Sequence, residues 1–291
     1  MVSAPDEMAT IGTGGGQQRL RAVSDVLAKT AGVGKSFSGV SVLRDIDLEI
    51  RRGEILGIIG ENGAGKSTLM KILAGIHTPS AGTVWLDGRK VDLRRPVDAR
   101  RVGISLVPQE FNLVSTLTVY DNVFLGAERL GRWRLLDKRG MKRRTTELLT
   151  ELGVALKPEA RIEELSAAQK QMTEIAKALA FDAKLLIMDE PTTVLTQHEI
   201  EALFRLMRRL RDGGMTIVYI SHKLKEVKAI CDRVVILRDG AKIDDGRSPR
   251  SRRWRWRSGW WAESSPRSSR IGRHRTRRWC WRCVISASPA C

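Results

Sequence analysis

The chain has 291 residues, a formal charge of +18 and 42% hydrophobic residues. This apolar content suffices for a folded core and excludes a wholly disordered chain. No apolar run approaches the roughly 18 residues of a membrane-spanning helix, and residues 1–10 lack the pattern of a secretory signal. Four cysteines are too few for a disulfide scaffold, so we expect a reduced, cytosolic setting.

The positive charge is concentrated at one end of the chain. Residues 247–291 hold 13 Arg, no Lys and a single acid, Glu263, and therefore carry +12 of the +18. The same segment holds six of the eight Trp and three of the four Cys. The composition changes near Gly246, so the two parts are interpreted separately.

In chain order, hydrophobic patterns predict a leader, a folded domain and a tail. Residues 1–24 are Gly-rich and are interpreted as a flexible leader. Alternation over Val42–Ile50 predicts a half-buried strand of an antiparallel sheet. Short apolar runs predict strands at Glu54–Ile59, Thr83–Leu86, Ile104–Val107, Leu185–Met188, Thr216–Ile220 and Arg233–Leu237, and longer periodic segments predict helices at Lys66–Ala74, Met141–Leu152, Ala168–Ala180 and Gln197–Arg211.

This alternation of strands and helices indicates an α/β fold with a mainly parallel core sheet. The alternating strand at Val42–Ile50 indicates an antiparallel β subdomain near the N-terminus. Residues 115–180 are largely helical in pattern and are interpreted as a helical subdomain inserted between two sheet strands. The domain boundaries that follow are 1–24, 25–246 and 247–291.

The strongest motif is GENGAGKS, which starts at Gly60 after a buried strand and leads into a helix. It fits the phosphate-binding loop, in which glycines allow backbone N–H groups to approach phosphate oxygens and the helix N-terminus favours anions. A Gly-rich turn that matches by chance is the alternative. Lys66 is predicted to reach the β- and γ-phosphates of a nucleotide, and Ser67 to ligate Mg²⁺. The predicted nucleotide-binding residues of this loop are Gly60, Glu61, Asn62, Gly63, Ala64, Gly65, Lys66, Ser67 and Thr68.

Two adjacent carboxylates, Asp189 and Glu190, end a predicted buried strand. After a phosphate-binding loop, this pattern predicts that Asp189 holds a metal ion and that Glu190 acts as a general base on water. Two solvated acids at a strand end are the structural alternative. The loop and the acids together predict a P-loop NTPase.

Six elements in this order resemble the ATPase subunits of ABC transporters over about residues 26–246. Besides the two motifs above, they are the segments at Gln109, at LSAAQ (165–169), at PTTVLT (191–196) and at Ser221-His222. Within that family, GENGAGKSTLMKILAGI, PQEFNLVSTLTVYDNVFLG and VYISHKLKEV look like the importers of ribose, xylose and galactose type. The resemblance implies ATP and Mg²⁺ as cofactors and transport-coupled ATP hydrolysis.

The resemblance also implies further roles. Phe37 is expected to stack on adenine, Gln109 to sense Mg²⁺ and the transmembrane partner, and His222 to contact the γ-phosphate. Ser166 and Gln169 belong to the signature that closes over ATP bound to an opposite cassette. The usual L-S-G-G-Q reads L-S-A-A-Q here, and the Cβ atoms of Ala167 and Ala168 are expected to weaken that contact modestly.

The implied partners are transmembrane permease subunits, a substrate-binding protein and a second ATPase cassette, with no direct sugar contact. The implied location is cytoplasmic, peripheral on the inner face of the plasma membrane, and the resemblance argues against nucleic acid as a partner. Two alternatives stay open. One is a soluble ABC ATPase acting on nucleic acid or ribosomes, suggested by the basic tail. The other is a truncated subunit that binds ATP without productive turnover.

The tail, residues 247–291, has no apolar periodicity. We interpret it as out-of-frame translation beyond a first cassette, because its composition changes where the family likeness ends. Taken at face value, its Arg and Trp residues suit nucleic acid or anionic lipid. Cys280, Cys283, His274 and Cys291 are candidate zinc ligands.

Overall fold

The structure is a computed structural model that describes residues 25–128 and 135–247. The predicted leader and the tail after Arg247, including its candidate zinc ligands, lie outside these residues. The strands are β1 (Val26–Phe37), β2 (Val40–Arg51), β3 (Ile55–Ile59), β4 (Ala81–Leu86), β5 (Arg89–Val91), β6 (Ile104–Val107), β7 (Leu185–Asp189), β8 (Thr216–Ile220), β9 (Arg233–Arg238) and β10 (Ala241–Arg247). The helices are α1 (Lys66–Leu73), α2 (Pro96–Arg101), α3 (Val119–Val123), α4 (Lys138–Leu152), α5 (Ala167–Leu179), α6 (Gln197–Asp212) and α7 (Leu224–Ile230), with a 3-10 turn at Ile162–Glu164.

The first sheet is antiparallel and has the strand order β2-β1-β4-β5. Along β2, buried positions such as Leu43, Ile46 and Leu48 are separated by more exposed ones, so one face of this strand packs on the core. The antiparallel strand predicted at Val42–Ile50 is therefore confirmed. The strand predicted at Thr83–Leu86 also forms, but it pairs with β1 in this sheet and does not join the parallel one.

The second sheet has the order β10-β9-β3-β8-β7-β6, in which all pairs are parallel except β10 with β9. Every residue of β3, β7 and β8 is buried, as expected for parallel strands covered on both faces. Parallel strands bring their carboxyl ends to one edge of the sheet, where α/β proteins bind ligands. That edge carries the loops that follow β3, β6, β7 and β8.

A helical subdomain is inserted between β6 and β7, as predicted. Helices α3, α4 and α5 pack on one another, and α5 also contacts β6. Thr118 caps α3 by accepting a hydrogen bond from the Asp121 N–H, and Asp137 caps α4 in the same way from Gly140. None of the helices within residues 25–128 and 135–247 combines the length and the apolar character needed to cross a bilayer.

One apolar core connects the two sheets through α1. Its members include Leu27, Val33, Ile46 and Leu48 from the antiparallel sheet, Leu69 and Leu73 from α1, and Ile58, Ile187, Val218 and Val235 from the parallel sheet. The predicted fold class is confirmed: an α/β domain with a mainly parallel core sheet, an antiparallel subdomain and an inserted helical subdomain.

Candidate functional site

The loop between β3 and α1 requires glycine at two positions for different reasons. A Cβ on Gly60 would lie 2.2 Å from the carbonyl oxygen of Leu237, so the close approach of β9 excludes a side chain. Gly65 caps α1 with a φ of 92°, a left-handed conformation, and a Cβ there would lie 2.5 Å from Leu43 Cδ2. The loop therefore lies close to a strand of each sheet, β9 at Gly60 and β2 at Gly65, before it enters the first turn of α1.

Lys66 is the first residue of α1 and is buried. Its Nζ atom donates hydrogen bonds to the carbonyl oxygens of Gly60 and Glu61, each at 2.9 Å. Burial lowers the pKa of the Lys66 amine, while the negative charges of Glu190 and Asp189 act in the opposite direction. The lysine therefore brings a cation to the helix N-terminus, where the backbone also favours anions.

Asp189 ends β7 and is only 6% exposed. Its Oδ1 atom has no hydrogen-bond partner in the protein. Burial raises the pKa of this carboxyl group, the Ser67 hydroxyl opposes that shift, and the neighbouring Glu190 reinforces it. A buried carboxylate oxygen without a protein partner is the kind of group that accepts a cation.

Ser67, Gln109 and Asp189 line one cavity of about 480 Å³ between α1, β6 and the loop after β6. The structure thus brings together the three residues predicted to hold Mg²⁺, and their oxygen atoms suit this hard cation. Lys71 and Arg100 also line the cavity. Among the described residues, no group of three or more His, Cys, Asp or Glu side chains could hold a metal.

Glu190 and His222 are in direct contact. His222 Nδ1 lies 3.0 Å from Glu190 Oε1, which fits a tautomer in which the Nδ1–H donates to the carboxylate. The Glu190 side chain is 15% exposed, and that of His222 is 52% exposed. Glu190 has a φ of 47°, and its N–H donates to the carbonyl oxygen of Ile220. Non-glycine residues in this conformation are concentrated at functional sites.

Phe37, the predicted adenine platform, ends β1 with 39% of its surface exposed. The rings of Phe37 and His77 pack edge to face, with a centroid distance of 5.2 Å, and Lys35 Nζ lies 4.9 Å from the Phe37 ring centroid. Burial lowers the pKa of His77, and the charges of Lys71 and Lys35 lower it further. The ring is thus exposed on the antiparallel subdomain, and its stacking role stays a prediction.

Ser166 is the N-cap of α5. Its hydroxyl accepts from the Gln169 N–H at 3.3 Å, and Gln169 Oε1 accepts from the Ser166 N–H at 3.0 Å, which forms a capping box. Ser166 is exposed, and Ala167 and Ala168 in the first turn are half-buried. Neither Ser166 nor Phe37 lines the cavity of Ser67 and Asp189, and the role of Ser166 toward a second cassette stays a prediction.

Two residues of α5 hold the loop after Gln109, and neither was predicted from the sequence. The buried carboxylate of Glu174 on α5 accepts from the Asn112 N–H at 2.6 Å, and Lys177 Nζ donates to the Asn112 carbonyl oxygen at 3.0 Å. Burial raises the pKa of Glu174, although Lys177 and the Asn112 N–H oppose that shift. The spacing of an acid and a lysine at i and i+3 was visible in the sequence, but their common target was not.

Glu226 on α7, a buried carboxylate bound to the loops that carry Glu190 and His222, was also not predicted from the sequence. Burial would raise the pKa of Glu226, but hydrogen bonds from Tyr219, Thr192 and Lys223 outweigh it and hold the pKa below its usual value. Glu226 shares the buried face of α7 with Val227 and Ile230. An acid on an otherwise apolar helix face was the signal that could have found it.

Known proteins match a large part of this chain. A family model described as ABC transporter matches residues 43–193. The ribose import ATP-binding protein RbsA 2 of Burkholderia cenocepacia is 49% identical over 219 residues, which cover 75% of this chain and 43% of that protein. The RbsA 2 protein of Streptomyces coelicolor is 48% identical over 221 residues, which cover 75% of this chain and 42% of that protein. The match thus spans less than half the length of these curated relatives.

Solved structures also match about three quarters of the chain. A nucleotide-free ATP-binding cassette from an ABC transporter superposes with a TM-score of 0.70 at 24% identity, covering 77% of this chain and 92% of that one, which shows the fold. A dimeric bacterial ABC transporter cassette, MJ0796, superposes with a TM-score of 0.67 at 27% identity, covering 76% of this chain and 98% of that one. No name among these relatives concerns nucleic acid or ribosomes, so that alternative gains no support.

Proposed function

Because the chain belongs to the ABC transporter family, we propose that residues 25–246 form an ATP-binding and ATP-hydrolysing cassette that energises a sugar importer. One observation carries the catalytic part of this proposal. The loop of Lys66 and Ser67, the orphaned carboxylate oxygen of Asp189 and the Glu190–His222 pair all lie at the carboxyl edge of one parallel sheet.

In this proposal the nucleotide phosphates lie on the loop from Gly60 to Thr68. Lys66 and the N-terminal N–H groups of α1 offset the phosphate charge. Ser67, Gln109 and Asp189 fit a magnesium site, because each offers an oxygen to one cavity and Asp189 Oδ1 has no protein partner. When bound, Mg²⁺ supplies charge stabilisation on the phosphates.

Glu190 is the proposed general base. Its carboxylate is mostly buried and accepts from His222, so the carboxylate is oriented while its other oxygen remains available to take a proton from water. His222 is more exposed than Glu190, and we propose that it also contacts the γ-phosphate. Phe37 is proposed to stack on adenine, because its exposed ring offers a flat apolar surface.

The class of cargo and the partners are proposed from the relatives. Proteins named for ribose import match 75% of this chain. We therefore propose permease subunits and a substrate-binding protein as partners, a second cassette that receives Ser166 and Gln169, and a location on the inner face of the plasma membrane. Sugar would be bound by those partners and not by this chain.

The test is ATP turnover by the full chain and by Glu190→Gln, with nucleotide affinity measured on the same samples. We expect Glu190→Gln to bind ATP like the wild type while turnover falls by about 10²-fold or more, the scale of a lost general base. Glu201→Gln, the same substitution at an exposed position of α6, is the matched control and should turn over ATP normally. Equal turnover in the wild type and Glu190→Gln would remove Glu190 from its role.

A further inference from the structure

Glu226 receives four hydrogen-bond donors inside the protein. Its Oε2 atom lies 2.8 Å from Thr192 Oγ1, 2.6 Å from the Tyr219 hydroxyl oxygen and 3.1 Å from Ser221 Oγ, and its Oε1 atom lies 3.2 Å from Lys223 Nζ. The residue is 8% exposed, and Thr192, Tyr219 and Ser221 are each 2% exposed or less. A side chain that satisfies so many buried donors fixes the segments that carry them.

Those segments are the two loops of the proposed catalytic pair. Thr192 lies two residues after Glu190, in the loop that follows β7. Ser221 and Lys223 flank His222 in the loop that follows β8, and the Lys223 N–H also donates to Ser221 Oγ at 3.0 Å. Lys223 Nζ reaches back to the Thr192 carbonyl oxygen at 3.3 Å. Glu226 therefore binds both loops, and the side chains of Glu190 and His222 on the same two loops contact each other.

We infer that Glu226 is a positioning residue that sets the separation of Glu190 and His222 by holding the loops after β7 and β8 together. This inference rests on the proposed hydrolysis for its kinetic consequence, but the positioning itself is a property of the protein alone. Glu226 does not touch the residues of the proposed phosphate and metal sites. It acts through Thr192, through Tyr219 on β8 and through the residues beside His222.

A carboxylate is the side chain that this place requires. An ionised carboxylate only accepts hydrogen bonds and can take several at once, whereas a carboxamide turns one of its two polar atoms into a donor. In Glu226→Gln, an NH₂ group would face either Lys223 Nζ or the cluster of three hydroxyl groups. The loops would then shift relative to each other, and a misplacement of about 1 Å at a reacting group costs up to about 10²-fold in rate.

The test uses the full chain and four variants. Glu226→Gln is expected to lower kcat for ATP by about 10-fold to 100-fold while nucleotide affinity stays near that of the wild type. Thr192→Val removes one donor without a change of shape and should lower kcat in the same direction, and Thr192→Ser restores the hydroxyl and should restore kcat. Glu54→Gln is the control for lost stability, because the Glu54 carboxylate is only 11% exposed and is bound to Arg233 before β3, away from both loops.

A second readout does not need turnover. The imidazole NMR signals of His222 report its contact with Glu190, and we expect them to move in Glu226→Gln and Thr192→Val but not in Glu54→Gln. An unchanged kcat and an unchanged His222 signal in Glu226→Gln would overturn the inference, as would an equal loss of kcat in Glu54→Gln at a matched loss of stability. If Glu226→Gln does not fold, the comparison of kcat between Thr192→Val and Thr192→Ser tests the inference instead. If the wild type does not hydrolyse ATP, the proposed function fails, and the His222 signal alone decides on the positioning.

Discussion

Replacing Asp189 with asparagine separates the cost of burying a carboxylate from its use as a metal ligand. Asp189 is 6% exposed, and its Oδ1 atom has no protein partner. A buried polar group without a partner costs about 1–3 kcal/mol, and more when it is charged. An amide loses less hydration on burial than a carboxylate, so Asp189→Asn should raise the free energy of unfolding without nucleotide by about 1–3 kcal/mol.

The assay is thermal unfolding of the full chain with no nucleotide, with ATP and a chelator, and with ATP and Mg²⁺. For a domain of this size, each 1 kcal/mol shifts Tm by about 2–4 °C. In the wild type, a ligand at 100 times its Kd adds about 2.7 kcal/mol of stability. The part of this gain that depends on Mg²⁺ should disappear in Asp189→Asn, so that ATP gives the same shift with and without the metal.

Glu54→Gln is the matched control, since this mostly buried carboxylate has partners. Glu54 accepts from the Arg233 guanidinium and from the Arg51 N–H. Loss of its charge should lower the free energy of unfolding by about 1.5–3 kcal/mol and leave the Mg²⁺ effect intact. A lower Tm of Asp189→Asn without nucleotide, or an unchanged Mg²⁺ effect, would show that the Asp189 carboxylate is structural and refute this reasoning.

Three further predictions concern other parts of the site. Lys66→Ala should weaken nucleotide binding about 10-fold to 150-fold, the equivalent of one charged hydrogen bond, while the exposed control Lys90→Ala should not, as measured by calorimetric titration. Gly60→Ala should lower the free energy of unfolding by about 1–3 kcal/mol and weaken nucleotide binding, whereas Gly213→Ala, whose Cβ would meet nothing closer than 3.4 Å, should do neither. The pKa of Glu226 is lowered from 4.5 in the folded protein, so the contribution of its charge to stability is complete above pH 4.5 and is lost as the pH falls through the lower folded pKa. In urea unfolding, the wild type should therefore be more stable than Glu226→Gln, by a difference that shrinks in acid. A difference that stays constant with pH would contradict this.

The parallel core was predictable because its sequence signals are local. β3, β7 and β8 are short apolar runs that end at turn or polar residues, and a buried parallel strand needs little else. β1 was not identified, since Gly32 and Gly34 interrupt it and its pairing with β2 contains several register shifts. The sheet that receives β4 was not predictable either, because its partner β1 lies some 50 residues earlier in the chain.

The site was predictable where the functional residues lie within one sequence motif, and where the carboxyl ends of the parallel strands bring such motifs together. The phosphate-binding loop and the acids at 189 and 190 follow neighbouring strands, so their proximity follows from the fold class. Contacts that depend on the rotation of a helix about its axis were not predictable. Glu226 and Glu174 each face inward from a helix, and only the packed structure shows which loop each of them holds.

The hold of α5 on Asn112 has a mechanical consequence. The backbone N–H of Asn112 is bound by Glu174 and its carbonyl oxygen by Lys177, and these two side chains lie nearly one turn apart on α5. Two such attachments leave the loop little freedom to pivot against α5. A displacement of α5 should therefore carry Asn112 with it, because the N–H and the carbonyl oxygen of that residue are both held by the helix.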